Sequence, residues 1–376
     1  MHNPSPAASA CWLAELNLYS FRNYTALTLE TDTRPVVITG PNGTGKTNIL
    51  ESISILGTSK GLRRAKIPDM RRFQERQSPW AVHGRLHYSD TDSHTVVAAQ
   101  DPETLTKRKT LVNGTVTNQT DLFQWLTVLW LTPFMDQIFM ESAAPKRKFL
   151  DRLISALFPH HQTHTAKLEY ALRERSKLLR DQVTDDVWYR VLEDRIARES
   201  VVIINTRQAY LRELNAELQS RQTPFPIPLC TLTGQIETWL DQSPALAVEE
   251  KICRYLRDHR AEDLLNRTNS MGGHQSVLCV NHLDFNRPAE VCSTGEQKAL
   301  LVSLLLAHAR LAQAKKHRMP IVLLDEVVAH LDQSKREKLF NEIVDLKMQT
   351  WLTGTDEALF EALAGNAQFF TTTPQS

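Results

Sequence analysis

The run Gly40-Pro41-Asn42-Gly43-Thr44-Gly45-Lys46-Thr47 meets G-x-x-x-x-G-K-[ST] at every fixed position, and its flanks suit it. Pro35 to Thr39 before it is apolar and β-branched, the composition of a buried strand. Asn48 to Leu56 after it opens a helix with Ile49, Ile53 and Leu56 on one face. Strand, glycine loop and helix together make a phosphate cradle: glycines let backbone N–H groups turn inward, and the helix N-terminus adds partial positive charge. The pattern predicts that Lys46 reaches the β- and γ-phosphates of ATP and that the Thr47 hydroxyl is a ligand to Mg2+. An ordinary glycine turn is the bland alternative, but a match this complete arises by chance only about once in a hundred chains of this length.

With 376 residues the chain can bury a large core and is expected to form two or three domains. Its hydrophobic content of 41% and charged content of 23% place it with soluble globular proteins and against disordered or membrane-embedded classes. Cys11, Cys230, Cys253, Cys279 and Cys292 are dispersed, odd in number and form no C-x-x-C pair, which reads as reduced thiols in a cytoplasmic protein. The polar start has no apolar signal region and no run approaches a membrane span, so no membrane partner is expected.

A net charge of +1 does not announce nucleic acid, but phosphate contact is local. Seven bases lie between Lys60 and Arg76 against Asp69 and Glu75, and Lys107-Arg108-Lys109 and Lys146-Arg147-Lys148 are two further basic runs. Each is either a solvated face or a contact to a polyanion.

Along the chain, Trp12 to Glu30 reads as a hairpin on either side of Phe21-Arg22-Asn23-Tyr24, and Asn113-Gly114 as a hairpin turn. Val128 to Leu131 reads as a buried strand ended by Pro133, and Gln137 beyond it is the candidate glutamine-loop residue. From Thr163 to Ser220 there is neither glycine nor proline, and leucines recur at helical spacing. This predicts two long charged helices broken near Thr184-Asp185-Asp186, the second about 50 Å long. The C-terminal part returns to α/β, with strands at 276–280, 320–324 and 349–353, helices at 296–313 and 332–346, and a frayed polar tail from Thr371. The expected architecture is an α/β nucleotide-binding head in two pieces, 1–155 and 269–376, split by a helical arm, 156–268.

Ile321-Val322-Leu323-Leu324 followed by Asp325-Glu326 is a buried strand that delivers two acids to its C-terminal edge, where α/β sheets bind ligands. Beside a phosphate loop, Asp325 is expected to hold Mg2+ and Glu326 to polarise the attacking water. Ser293-Thr294-Gly295-Glu296-Gln297 stands at the start of an apolar helix. It is either a simple helix cap or a second anion site in which Ser293 and Gly295 meet a γ-phosphate. The order Walker A, S-x-G-x-Q, Walker B, then Leu331-Asp332 is the order of ABC ATPases. In that class the signature of one subunit closes on ATP held by another, so an ATP-dependent head-to-tail homodimer is expected.

Lys46 and Asp325 are widely separated by a helical insert, the split-head layout of the SMC class. Phe21-Arg22-Asn23-Tyr24, Gly45-Lys46-Thr47-Asn48-Ile49-Leu50-Glu51, Pro145-Lys146-Arg147-Lys148-Phe149-Leu150-Asp151, Arg260 to Thr268, Gly272-Gly273-His274 and Leu323 to Val327 resemble the RecF family. The resemblance runs from Trp12 to about Asp356. It implies a cytoplasmic, weakly hydrolysing ABC-type ATPase that dimerises on ATP and binds double-stranded or gapped DNA. It further implies help for RecO- and RecR-type mediators in loading recombinase during gap repair and replication-fork maintenance, and a link to the SOS response. Asn266 stands where that family tends to have glycine, and Leu352-Thr353-Gly354-Thr355 occupies the place of the ABC switch histidine, as in RecF relatives.

Two other classes fit parts of the pattern. An ABC subunit of a transporter or of another SMC-like complex calls for a shorter gap between the Walker motifs or a far longer arm. A phosphate-loop kinase has no use for Ser293-Thr294-Gly295.

Overall fold

The alternating stretch after Cys11 becomes an antiparallel hairpin of β1 (Trp12–Phe21) and β2 (Tyr24–Glu30), with Leu16 opposite Leu29 and Leu18 opposite Leu27. This computed structural model describes residues 11–58, 60–72, 78–89, 91–122, 125–220, 224–316 and 319–373. After the hairpin, β3 (Val36–Thr39) runs through the glycine loop into α1 (Lys46–Gly57). Then come β4 (Ala81–His87), β5 (Ser93–Gln100), β6 (Arg108–Val112), β7 (Thr115–Val116), α2 (Gln119–Leu122), β8 (Val128–Leu131) and α3 (Ala143–Leu157). The middle holds α4 (His160–Arg180), α5 (Asp186–Gln219), β9 (Pro228–Thr233), α6 (Gln235–Gln242), α7 (Ala245–Asp258), α8 (Arg260–Asn266), β10 (Val277–His282) and β11 (Arg287–Pro288). The last part is α9 (Thr294–Lys316), β12 (Ile321–Leu324), α10 (Gln333–Asp345), β13 (Thr350–Gly354) and β14 (Gln368–Thr371).

These elements form two units, one of residues 1–136, 222–226 and 293–376, the other of 137–221 and 227–292. The first unit carries a parallel sheet in the order β14-β3-β13-β12-β8 and an antiparallel sheet in the order β2-β1-β4-β5-β6-β7. Strands β3, β8, β12 and β13 are buried at every position, as parallel strands covered on both faces should be. Helix α1 was expected to show one apolar face; it is instead buried nearly all round. Its core cluster joins Leu13, Leu16 and Val82 of the antiparallel sheet to Ile38, Ile321 and Leu323 of the parallel one. Ser52 and Ser54 fit that interior because each hydroxyl donates to a carbonyl three residues back, at 2.6 Å. Asn113 and Gly114 both take positive φ (49° and 79°), as a tight hairpin turn between β6 and β7 requires. Of the tail expected to fray from Thr371, Thr371 itself ends β14, which pairs with β3, and Thr372 N–H extends the ladder to the Thr39 carbonyl; residues 374–376 lie outside the described residues.

In the second unit the expected helix pair is α4 and α5, the latter 34 residues and so about 51 Å long. Asp185 caps α5 by accepting from Val187 N–H at 2.9 Å. Leu168, Leu172, Ile196 and Ile203 close a core with Val248, Ile252 and Leu256 of α7. The unit is not helical throughout. The strand read near 276–280 was assigned to the C-terminal head; as β10 it pairs antiparallel with β9, Val277 opposite Thr233 and His282 opposite Pro228. The outer unit divisions fall at 136/137 and 292/293, with 222–226 also in the first unit, against the 155/156 and 268/269 expected from sequence. Two buried arginines here are paired: Arg175, fully buried, meets Asp263 at 2.6 Å and Glu193 at 3.2 Å, and Arg207 holds both oxygens of Asp151 at 2.8 Å.

No helix among the described residues is long and apolar enough to cross a membrane. No disulfide joins the five cysteines, all of which lie among the described residues.

Candidate nucleotide-binding site

The glycine loop leaves the C-terminal end of β3 with Gly40, Gly43 and Gly45 at φ 143°, 84° and 102°. A Cβ at Gly40 would lie 2.4 Å from the Thr372 carbonyl oxygen, and Gly45 is as tightly enclosed. It occupies the cap position of α1, and a Cβ there would lie 2.4 Å from the Asn23 side chain and 2.7 Å from the Tyr24 hydroxyl. Asn23 braces the loop, donating to the Thr44 carbonyl at 3.1 Å and accepting from Asn48 Nδ2 at 2.7 Å. Thr44 Oγ1 donates to the Pro41 carbonyl at 2.9 Å and lies 2.6 Å from Thr372 Oγ1. The Lys46 ammonium donates to the carbonyls of Gly40 (2.7 Å) and Pro41 (2.9 Å). Burial pushes its pKa down, while Glu326 and Asp325 pull it up.

The acids arrive from β12. Asp325, buried, accepts from the Thr47 hydroxyl at 3.0 Å and from the Thr353 hydroxyl at 2.8 Å. Burial raises its pKa, opposed by those two hydrogen bonds, and the neighbouring Glu326 raises it further. Glu326 sits in the left-handed region, φ 53° and ψ 16°, a conformation costing a non-glycine residue about 1–2 kcal/mol. Its N–H donates to Thr353 Oγ1 at 3.0 Å, one of the contacts that hold it there. A pocket of about 160 Å³ is lined by Asn42, Gly43, Gly45, Lys46, Thr47, Asn48, Arg63 and Glu326.

The fold thus assembles Gly40 to Thr47, Asp325 and Glu326 around one site. A hydroxyl and a carboxylate oxygen side by side form a third of a six-oxygen shell, which fits Mg2+ completed by phosphate oxygens and water. Ser293 and Gly295 do not line this pocket. Ser293 is the exposed cap of α9, and with Glu296 it forms a capping box: Ser293 N–H and Oγ both donate to Glu296 Oε2 at 2.8 Å, and Glu296 N–H returns to Ser293 Oγ at 3.3 Å. Its backbone is therefore satisfied within the chain while its outer face stays open. Gly295 has open space where a Cβ would stand. Asp332 caps α10 by accepting from Lys335 N–H at 2.8 Å. Gln137 lies in the turn after Pro133–Met135, within the second unit.

Two participants were not given roles from sequence. Thr353 bridges Asp325 to the Glu326 backbone; its only signal was its place at the end of an apolar strand, where a switch histidine was missing. Arg63 was one base in a basic stretch; it turns onto the loop helix, donating to Asn48 Oδ1 at 2.7 Å, and borders the pocket.

Residues 12–375 match the family described as the RecF/RecN/SMC N terminal domain. The chain is 41% identical over 362 residues to the DNA replication and repair protein RecF of Mesorhizobium japonicum, covering 96% of this chain and 95% of that one. It is 40% identical over 363 residues to the protein of the same name from Brucella suis, covering 95% and 94%. Among solved structures, the recombination mediator protein RecF-ATPrS of the RecFOR pathway superposes with a TM-score of 0.85 at 19% identity, covering 98% of each chain. An Smc head domain with an extended coiled coil from Pyrococcus furiosus gives 0.51 at 15% identity, covering 97% and 94%. The fold is that of RecF and SMC heads, an ABC-type ATPase head with a helical insertion.

Proposed function

The chain belongs to the RecF/RecN/SMC N terminal domain family, and on that premise we propose that it is a RecF-type DNA-repair ATPase whose ATP-bound form is a head-to-tail dimer on DNA. The observation that carries this reading is the meeting of Thr47, Asp325 and Glu326 at the mouth of a preformed phosphate loop.

The backbone N–H groups of Asn42 to Thr47 cradle the phosphates of ATP, and Lys46 exchanges its carbonyl contacts for β- and γ-oxygens. Thr47 and Asp325 would hold Mg2+, which when bound would neutralise charge on the phosphates. Glu326 orients water in line with the γ-phosphorus and accepts its proton as the bond to the β-phosphate oxygen breaks. Ser293 and Gly295, open to solvent at the start of α9, complete the site of a second copy by meeting its γ-phosphate. Hydrolysis removes that phosphate and reopens the dimer, so ATP acts as a switch on an association equilibrium and turnover is slow.

The relatives' names, DNA replication and repair protein and recombination mediator of the RecFOR pathway, support DNA repair and replication as the setting. To this we add what the family resemblance implies: a cytoplasmic protein with RecO- and RecR-type mediators and double-stranded or gapped DNA as partners, and a link to the SOS response. The second unit is the arm interrupting the ATPase head. The test is duplex-DNA binding with and without ATP, for wild type and Lys46→Ala. ATP should strengthen binding of the wild type alone; binding indifferent to ATP would reject the switch.

A further inference from the structure

The short basic runs are largely engaged within the fold. Arg63 bonds Asn48; Arg108 donates to the carbonyls of Ile55 and Thr58; Lys109 pairs with Asp101; Lys146 pairs with Glu290; Arg147 donates to the Ser276 carbonyl. Glu75 and Arg76 lie outside the described residues. Of the same runs, Lys60, Arg64, Lys66, Lys107 and Lys148 are exposed with no side-chain partner among the described residues, but none of them lines the groove in which four such cations converge.

In the second unit a groove of about 1210 Å³ is lined by the C-terminal half of α4 and by the segment from Asp263 to Gln275. Arg173, Lys177 and Arg180 stand at i, i+4 and i+7, one face of α4, and Arg267 lines the groove from the end of α8, where its backbone turns left-handed at φ 53°. All four are exposed, and none of their side chains has a hydrogen-bond or ion-pair partner among the described residues. Of the two acids lining the groove, Asp263 is buried and bonded to Arg175, which leaves Glu174. A second groove, of about 360 Å³, sets Arg198, Arg254 and Arg257 against Asp194, Glu249 and Glu250, a balanced lining. Unbalanced positive charge in a groove focuses the field on an anion, and cations without partners need give up no contact to receive one. Arg173 to Arg180 spans about 10 Å along the helix, about three phosphates at the 3.4 Å rise of a strand.

We propose that this groove seats a nucleic-acid sugar–phosphate backbone, with Arg173, Lys177, Arg180 and Arg267 as its phosphate contacts. The proposal rests on the DNA-binding function given above and adds the surface. No sequence run marks it, since the four residues meet only through helical spacing and the return of the chain at α8.

The test is fluorescence anisotropy of the full chain with ATP and Mg2+, against a duplex and a single strand of equal length, over a series of salt concentrations. Changing all four residues to Gln should weaken binding about tenfold or more and flatten the slope of log K against log salt by about 0.9 per lost contact on duplex, or about 0.7 on single strand. The substrate with the larger change identifies the strand state that the groove takes. Lys177→Gln alone should flatten the slope by about one contact, which keeps the test valid if the fourfold variant folds poorly. Arg198→Gln/Arg254→Gln/Arg257→Gln, a comparable loss of charge in the balanced groove, should leave affinity within about twofold. Wild-type affinity and slope in the folded groove variants, or equal weakening in the control, would overturn the proposal while leaving the ATPase reading intact. Absence of DNA binding by the wild type would overturn the DNA function itself, and this surface with it.

Discussion

The Thr47 hydroxyl donates to Oδ1 of Asp325 across 3.0 Å, although 278 positions separate the two residues in the chain. The contact exists because β3 and β12 lie in one parallel sheet with only β13 between them, which sets both C-terminal ends at one edge. The intervening strand contributes too: Thr353, fully buried near the end of β13, bonds both Asp325 and the Glu326 N–H.

Thr353→Val keeps the shape of the side chain and removes both bonds. A buried group left without a partner costs about 1–3 kcal/mol, so kcat for ATP hydrolysis should fall about ten- to hundredfold. Nucleotide affinity should change little, and Thr353→Ser should stay near wild type. Steady-state kinetics of the two variants separate kcat from KM; an unchanged kcat in Thr353→Val would remove Thr353 from the catalytic arrangement.

Glu326→Gln removes the proton acceptor while keeping size and hydrogen bonding. Hydrolysis should fall about 10²- to 10⁴-fold, the usual worth of a general base. The ATP-bound dimer should persist correspondingly longer, measured as the lifetime of the dimer after ATP is chased with ADP.

Gly45→Ala places a methyl group 2.4 Å from the Asn23 side chain at a φ of 102°. The loop can accept it only by moving Asn23 off the Thr44 carbonyl, so ATP affinity should fall about tenfold or more, the effect of about 1.4 kcal/mol. Equilibrium binding of a fluorescent ATP analogue reads this directly.

Much of this site was legible because phosphate binding fixes residue types at fixed spacing: the glycines, Lys46, Thr47 and the acids after β12 stand where the pattern placed them. Helices α4 and α5 were legible from their periodicity and the break at Asp185. Helix α7 was not, although Val248, Ile252 and Leu256 recur at helical spacing, because its apolar stripe is narrow and otherwise polar. The pairing of β10 with β9 is a long-range choice that local patterning cannot express. Thr353 and Arg63 escaped for the same reason: their roles depend on which strand or helix lies beside them.

The pairing of Asp151 with Arg207 has a stability consequence. Burial alone would raise the Asp151 pKa, but hydrogen bonding to His161 and the charge and hydrogen bonds of Arg207 outweigh it and hold the carboxyl at about 2. A carboxyl depressed from about 3.9 contributes about 2–3 kcal/mol above its unfolded pKa, lost as pH falls from about 4 to about 2. Asp151→Asn leaves the buried Arg207 unpaired and should cost about 3–5 kcal/mol at neutral pH. The gap in urea midpoint between wild type and variant should narrow between about pH 4 and about pH 2, as the Asp151 carboxyl takes up its proton first in the unfolded chain and only near pH 2 in the fold. A gap that stays constant down to about pH 2 would show that the pair does not contribute as described.

The most direct test is sedimentation of the full chain with and without ATP and Mg2+, for wild type and Ser293→Arg. Ser293 lies at the open start of α9 and not in its own chain's phosphate pocket. The wild type should shift to a dimer on ATP, while Ser293→Arg should bind ATP normally and remain monomeric. A Ser293→Arg variant that dimerises on ATP as the wild type does would contradict a site completed by a second copy.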